Sequence, residues 1–368
     1  MTQTSTRQDL DRLIAAAAAS ISVPKAAPAD SFVLHAPLEL LARVQLLAFV
    51  PSARVGDAAG MIEWLCAEYD AAGEPVAPTS PPEGEVRPAS LLEAIAAGDL
   101  DIVDAMAAAW LPQMSGSQAC GALAEALAPS LSAAGHAPIA MSLLLRDPSM
   151  PATLLRGPLR ALATHPDWRL TWFEGVHGAG DPDSLHAALR AAPHLGRLGS
   201  DFIQPLMSQA EQTGMAARLL GQVLADHFDT GEARRALARV AAWSMLHDDP
   251  EQAPYGWSHA LTMPQAVLAL AGKGVSARTA LAVAATFSLG FRLAHGQTRV
   301  PQRIEPMTAR ASAAEVAGAA AMHRDAHLVK YTLACLHAAA DDPEFAGLYV
   351  NAAARLVDWW RVEDARSS

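Results

Sequence analysis

His323-Arg-Asp-Ala-His327-Leu-Val-Lys330-Tyr-Thr-Leu-Ala-Cys-Leu-His337 is the stretch whose reading decides the fold of this chain. At about 100° per residue, His323, His327, Lys330, Ala334 and His337 fall within roughly 80° of one another on a helix. Leu328, Val329, Leu333 and Leu336 cover much of the remaining surface. The pattern predicts a largely apolar helix with a narrow stripe of imidazoles and one amine. Burying such groups without partners costs several kcal/mol, so a buried helix of this kind needs something to satisfy them, and a metal ion does so for two or more imidazoles at once. His327 and Lys330 lie about 4.5 Å apart along the axis, but His323 and His337 about 21 Å apart. One ion can therefore take the first pair and not the whole stripe.

Outward from that helix the chain reads as helices throughout. Its 368 residues are 51% apolar and 5% aromatic, rich in alanine, and suited to close helix packing through small side chains. No period-2 strand of useful length is found, and the predicted class is all-α: one large helical domain, 31–368, in an irregular multi-helix array around a buried metal site. It follows an N-terminal helix and connector, 1–30. Helical pairs recurring every 30 to 45 residues or so suggest a solenoid. A helix is expected from Leu38 to Phe49 with Pro37 in its first turn, which puts His35 at a helix mouth. Asp167, Asp183 and Asp201 are candidate N-caps.

The net charge of −11 argues against nucleic acid and against an anionic membrane as partner. No run approaches the 18 or so apolar residues of a membrane span. The three cysteines, Cys66, Cys120 and Cys335, are an odd count without zinc-type spacing, which indicates neither a disulfide framework nor a zinc knuckle. The start of the chain does not read as a signal peptide, and a cytoplasmic setting is the expectation. Only three of the 27 basic residues are lysines, Lys25, Lys273 and Lys330. A lysine kept inside an apolar helix of such an arginine-biased chain suggests that the amine itself is needed, although a snorkelling side chain is the alternative.

Glycine-rich phosphate loops, a nucleophile elbow and His-Glu-x-x-His are all missing. Histidine remains. Of the thirteen, His35, His136, His259 and His327 combine apolar neighbours with a helix start or interior. Taken alone, each reads first as a hydrogen-bonded core histidine, but four of them in an alanine-rich core would be destabilising without a shared purpose. His295, before Gly296, reads as a C-terminal dipole partner.

Four motifs carry a family resemblance: His35-Ala36-Pro37, Gly135-His136 followed by Ile139, Tyr255-Gly256-Trp257-Ser258-His259-Ala260-Leu261-Thr262, and Asp325-Ala326-His327-Leu328-Val329-Lys330-Tyr331-Thr332. Together they resemble the questin oxidase-like family, which includes fungal enzymes that oxidise or cleave anthraquinone rings. The resemblance spans most of the chain and is most specific in the last two motifs. It implies a mononuclear iron held by His35, His136, His259 and His327, with Lys330 carrying a carbamate as the fifth ligand. Imidazoles suit Fe(II), and burial favours the neutral amine that reacts with CO₂. The sequence departs from the family pattern at Leu34, where Asn is common, and at Ala137, where Gly follows the second histidine; both bear on the surroundings of the metal and hence on the substrate.

The function so implied is an iron-dependent oxygenase, an oxidoreductase that uses O₂ on an aromatic polyketide or quinone-like molecule, by Baeyer–Villiger-type oxidation or ring cleavage, with NADPH as a candidate external reductant. Phe32, Tyr255, Trp257 and Tyr331 are the expected pocket residues, with Trp110 and Phe287 behind them. His323 and His337 are the expected groups for proton handling or substrate hydrogen bonding. Two other classes compete: a non-catalytic helical-repeat binding module, and a zinc hydrolase using the same histidines.

Overall fold

The computed structural model describes residues 3–26, 31–77, 79–80, 84–175, 184–197, 203–225 and 229–367. Among them are seventeen α-helices and no strand, only isolated bridges such as Ser130 with Arg169. In chain order they are α1 (Gln3–Ile21), α2 (Ser31–Leu46) and α3 (Val55–Ala71), then α4 (Pro88–Ala96), α5 (Leu100–Trp110) and α6 (Gly116–Leu127). α7 (His136–Arg146), α8 (Arg156–Leu162), α9 (Leu185–Ala191), α10 (Ile203–Gln212) and α11 (Met215–Ala225) follow. The last six are α12 (Thr230–His247), α13 (Ser258–Ala269), α14 (Ala277–His295), α15 (Ala313–Ala321), α16 (Ala326–Asp341) and α17 (Ala346–Ser367). No helix among the described residues is long and apolar enough to cross a membrane.

Local sequence sets many of the helix starts. Ser115 and Ser312 open α6 and α15 with full capping boxes closed by Gln118 and Glu315. Asp325 caps α16 through the Leu328 N–H, and Ser276 caps α14. Of the expected caps, Asp167 lies in a turn, where no helix follows it directly, and Asp183 and Asp201 lie outside the described residues.

α2, α7, α13 and α16 form the centre. α2 packs against α7 and α16, and α13 packs against the same two, closing a ring of four. The ring is parallel. At one end His35 sits beside His136 and His327, with ring centroids 4.4 Å apart in both pairs. Toward the other end the Gln45 amide donates to the Leu143 carbonyl at 2.9 Å, and Phe49 meets His337 at 6.1 Å. Parallel neighbours need returning connections, and the other helices supply them: α3 to α6 between α2 and α7, α8 to α12 between α7 and α13, and α14 and α15 between α13 and α16. α14 is buried on every face from Thr279 to His295, as a helix apolar all round should be. α1 lies on α3 and α2 and shares the common core through Ala17, Ala18 and Ile21.

Three expectations change. The chain is not a solenoid, because α2 packs on α16, nearly the full length of the chain away, whereas stacked repeats touch only their neighbours. Pro37 lies inside α2, so His35 stands in the second turn and not at the mouth. A proline there lacks an N–H for the helix ladder, at a cost of about 3 kcal/mol, which burial of the surrounding residues from Ala36 to Ala42 offsets. Finally, α15 ends at Ala321 and α16 begins at Ala326, so His323 lies in the connection and the stripe on α16 is His327, Lys330, Ala334 and His337. Asp325 takes the capping position and stops the helix from reaching back to His323.

Candidate metal centre

The four histidines singled out in the sequence stand at the N-terminal ends of the four parallel helices, and the fold brings them together. His136 is the first residue of α7, while His259 and His327 are the second residues of α13 and α16. Nitrogens of His35, His259 and His327 lie within 4.8 Å of one another. His136 completes the group, its ring 4.4 Å from His35 and 5.6 Å from His259. All four are buried, with exposures of 5, 1, 4 and 6% for His35, His136, His259 and His327.

Each imidazole is oriented by an acceptor set by the local backbone. His35 Nδ1 donates to the Ser31 carbonyl, one turn earlier in α2. His259 Nδ1 donates to the Tyr255 carbonyl, which a π-turn, Ala253–Trp257, delivers directly ahead of α13. His136 Nδ1 donates to the Ala133 carbonyl at 2.6 Å. His327 Nδ1 faces the Asp325 carboxylate at 3.4 Å, the same carboxylate that caps α16. A carbonyl or carboxylate can only accept, so the proton sits on Nδ1 and the Nε2 lone pair is left for a ligand, the arrangement typical of metal-binding histidines.

The Ala133 carbonyl is held by an unusual turn. Ala133, Ala134 and Gly135 have φ values of 51°, 51° and 70°, three successive left-handed residues ahead of α7. Each alanine there costs roughly 1–2 kcal/mol, and strain of this kind clusters at functional sites. Glycine is favoured at position 135, both by its φ of 70° and because a Cβ there would crowd Met263 Cε and Phe287 Cζ at 3.1 Å.

Burial, followed by repulsion from Lys330 and the neighbouring rings, pushes the imidazoles of His35 and His136 well below the ordinary histidine range. Burial does the same to His259, with His327 next, and lowers His327 against the opposing pull of Asp325. The rings are therefore neutral and able to bind a metal near pH 7. Lys330, 5% exposed, is brought down to about 7 by burial, against the raising effect of Asp325 and Glu39. Glu39, on α2, is itself buried and paired with Arg43, whose guanidinium also donates to the Ala321 and His323 carbonyls at 3.0 and 2.6 Å.

The donor set fits a metal ion. His35 Nε2, His136 Nε2 and Lys330 Nζ are buried without a hydrogen-bond partner among the described residues. Buried polar atoms left in that state are rare and need an explanation, and a shared ion supplies one.

The remaining expected residues are dispersed around this group. Tyr255 stands over His327, ring centroids 4.9 Å apart, and is 46% exposed, so it forms the solvent side of the centre. Phe32 lies one turn before His35, edge-on to Trp64 at 6.4 Å. Trp257 turns away from the histidines to His295 and Arg292, and Tyr331 is buried beside Cys335. Trp110 belongs to the core at α5, and Phe287 supports the Gly135 turn. His323 pairs with Asp364 and its ring accepts the Asp325 N–H, so its side chain borders the centre from behind Asp325. His337 lies ten residues along α16 from His327, about 15 Å at the helical rise, at the far end of a groove. His295 is buried at the end of α14 and pushed down to about 4 by burial, so it is neutral and is not the charged dipole partner that its position suggests. Sequence reasoning missed Asp325, Glu39 and the Ala133–Ala134 turn. A carboxylate two residues before His327 was the one available signal.

A substrate-sized cavity, of about 540 Å³, borders Leu34 and Ala133, which adjoin or position His35 and His136. Tyr69, Leu100 and Val33 line it, with Lys25 and Arg160. None of Phe32, Tyr255, Trp257 and Tyr331 does. No family model matches the chain, and neither a curated protein nor a solved structure matches it.

Proposed function

We propose that the protein is an iron-dependent oxygenase acting on an aromatic polyketide or quinone-like small molecule. His35, His136, His259 and His327 would hold the ion, and Lys330, as its carbamate, would be the fifth ligand. The observation that carries this reading is the convergence of four neutral, Nδ1-anchored imidazoles on one buried point beside an unpartnered lysine amine. The likeness of the four histidine motifs to the questin oxidase-like family supports it.

The electrostatics favour a carbamate over a bare amine. Four helix N-termini meet at the centre, each carrying partial positive charge, and neutral imidazoles do nothing to offset a further cation. The neutral Lys330 amine and CO₂ give a carbamate and one released proton, and the carbamate places an anionic oxygen where that charge is needed. Five protein ligands also exceed what catalytic zinc takes, three plus a solvent position, and suit an ion of higher coordination. Bound iron would supply the activation of O₂ that spin and redox rules deny to side chains alone. The protein's part is to orient the imidazoles, exclude water and hold an aromatic ring nearby, for which the cavity of about 540 Å³ is of the usual ligand-site size.

A second reading rests on the tightest subset. His35, His259 and His327 alone make a three-histidine site, the ligand pattern of a zinc hydrolase. Metal analysis and oxygen consumption separate the two. Iron near one equivalent with O₂ uptake in the presence of hydroxylated anthraquinones supports the oxygenase. Stoichiometric zinc with ester or amide hydrolysis and no O₂ uptake replaces it.

A further inference from the structure

A second route to the centre opens away from the cavity of about 540 Å³. Between α7, α13 and α16 runs a groove whose lining residues repeat at helical spacing along each of the three helices. On each helix the innermost of these residues lies three positions after a centre histidine: Ile139 after His136, Thr262 after His259, Lys330 after His327. The groove therefore ends one helical turn beneath the imidazole cluster, at the buried and unpartnered Lys330 Nζ. Its outer end is marked by exposed Arg146 and half-buried Gln265 and His337.

The walls tell what it passes. The two hydroxyls along it are turned back onto their own helices, Ser142 Oγ donating to the Ile139 carbonyl at 2.9 Å and Thr262 Oγ1 to the Ser258 carbonyl at 3.0 Å. Beyond the mouth, Leu143, Ala266, Ala269, Leu333 and Ala334 leave the lining apolar. The free space is only about 40 Å³, room for a few very small molecules and far below the roughly 300 Å³ or more of an ordinary ligand pocket. An aromatic substrate cannot enter, and a water that did would find few hydrogen bonds.

We propose that this groove is the route by which dioxygen reaches the centre, separate from the path taken by the organic substrate. The proposal rests on the oxygenase reading, and its test is chosen to fail separately from it. Crystals of the protein pressurised with xenon, an apolar probe of similar size, should show an atom bound between Ile139, Thr262 and Ala334. Ala334→Phe should abolish that atom and slow the oxidation of the ferrous protein by O₂ at least tenfold, with iron content unchanged. Ala266→Leu provides a milder block should the larger ring hinder folding. Absence of xenon from the wild-type groove overturns the route while leaving iron binding intact, as does oxidation at the wild-type rate in a folded, iron-loaded blocked variant. Xenon in the groove of a protein that takes up no iron overturns the dioxygen role together with the oxygenase reading.

Discussion

The carbonyl of Ala133, a residue held at φ 51°, accepts the Nδ1 proton of His136 at 2.6 Å, so a strained turn aims one of the four imidazoles. Strain of this kind persists only where the surrounding packing over-determines it. Here Met263 and Phe287 close over Gly135 and lock the turn.

Ala134→Gly should relieve part of that strain. Glycine adopts positive φ without penalty, and the metal-free protein is expected to gain up to about 1 kcal/mol, less the entropy that glycine adds to the unfolded chain. Gly135→Ala should cost about 2–3 kcal/mol, because it combines the wrong backbone region with a crowded Cβ. Chemical denaturation of both variants measures this. A neutral Gly135→Ala would mean that the turn is not locked.

The ligand set is open to single substitutions. Replacing His35, His259 or His327 by Ala should each strip most of the bound metal, since each supplies a nitrogen of the tightest group. His136→Ala decides between the two readings of the centre. A four-histidine site loses metal as severely as the others do, and a three-histidine site keeps it, as plasma emission analysis of purified variants would record.

Lys330 gives a pH dependence with a definite sign. Its amine has a folded-state pKa of about 7 against an ordinary lysine value of 10.5, so between those limits the unfolded chain binds a proton that the folded one does not. Stability of the metal-free protein should therefore rise with pH across that window and fall as pH drops from 10.5 toward 7. Lys330→Met should flatten the slope and stabilise the metal-free protein near neutral pH by several kcal/mol at most. The same variant should lose the metal, and bicarbonate should not restore it. A Lys330→Met protein with the wild-type pH slope would show that the amine is not buried uncharged.

Arg43, paired with Glu39 one turn earlier on the same helix, links α2 to the segment before α16 through the Ala321 and His323 carbonyls. Arg43→Ala leaves Glu39 buried without its partner, and breaking such a pair costs about 3–5 kcal/mol. Double substitution with Glu39→Gln should recover part of the loss, because the stranded charge is then gone. Equal stability of single and double variants in thermal unfolding would assign the cost to the lost carbonyl contacts instead.

Helical class was legible in the sequence because apolar periodicity and capping residues act within a few positions. The α16 stripe of His327, Lys330, Ala334 and His337 could be read directly. His323 was misread as part of the helix because periodicity continues through a cap, and only the hydrogen bond from the Leu328 N–H to Asp325 marks the true start. Trp257 shares a motif with His259 yet points to His295; a π-turn alters side-chain direction without leaving a distinct composition.

By itself the sequence determined that the chain is helical, that four histidines and one lysine sit in apolar helix surroundings, and that no phosphate loop or nucleophile elbow competes with them. These follow from local forces: backbone propensity, burial of alternating faces and the cost of placing polar groups among apolar neighbours. Tertiary structure decided that α2, α7, α13 and α16 run parallel, so that residues 35, 136, 259 and 327 meet at one end and Ile139, Thr262 and Lys330 line one groove. Helix direction across a ring depends on how the returning helices pack, and no periodicity within a single segment encodes that sum of long-range contacts.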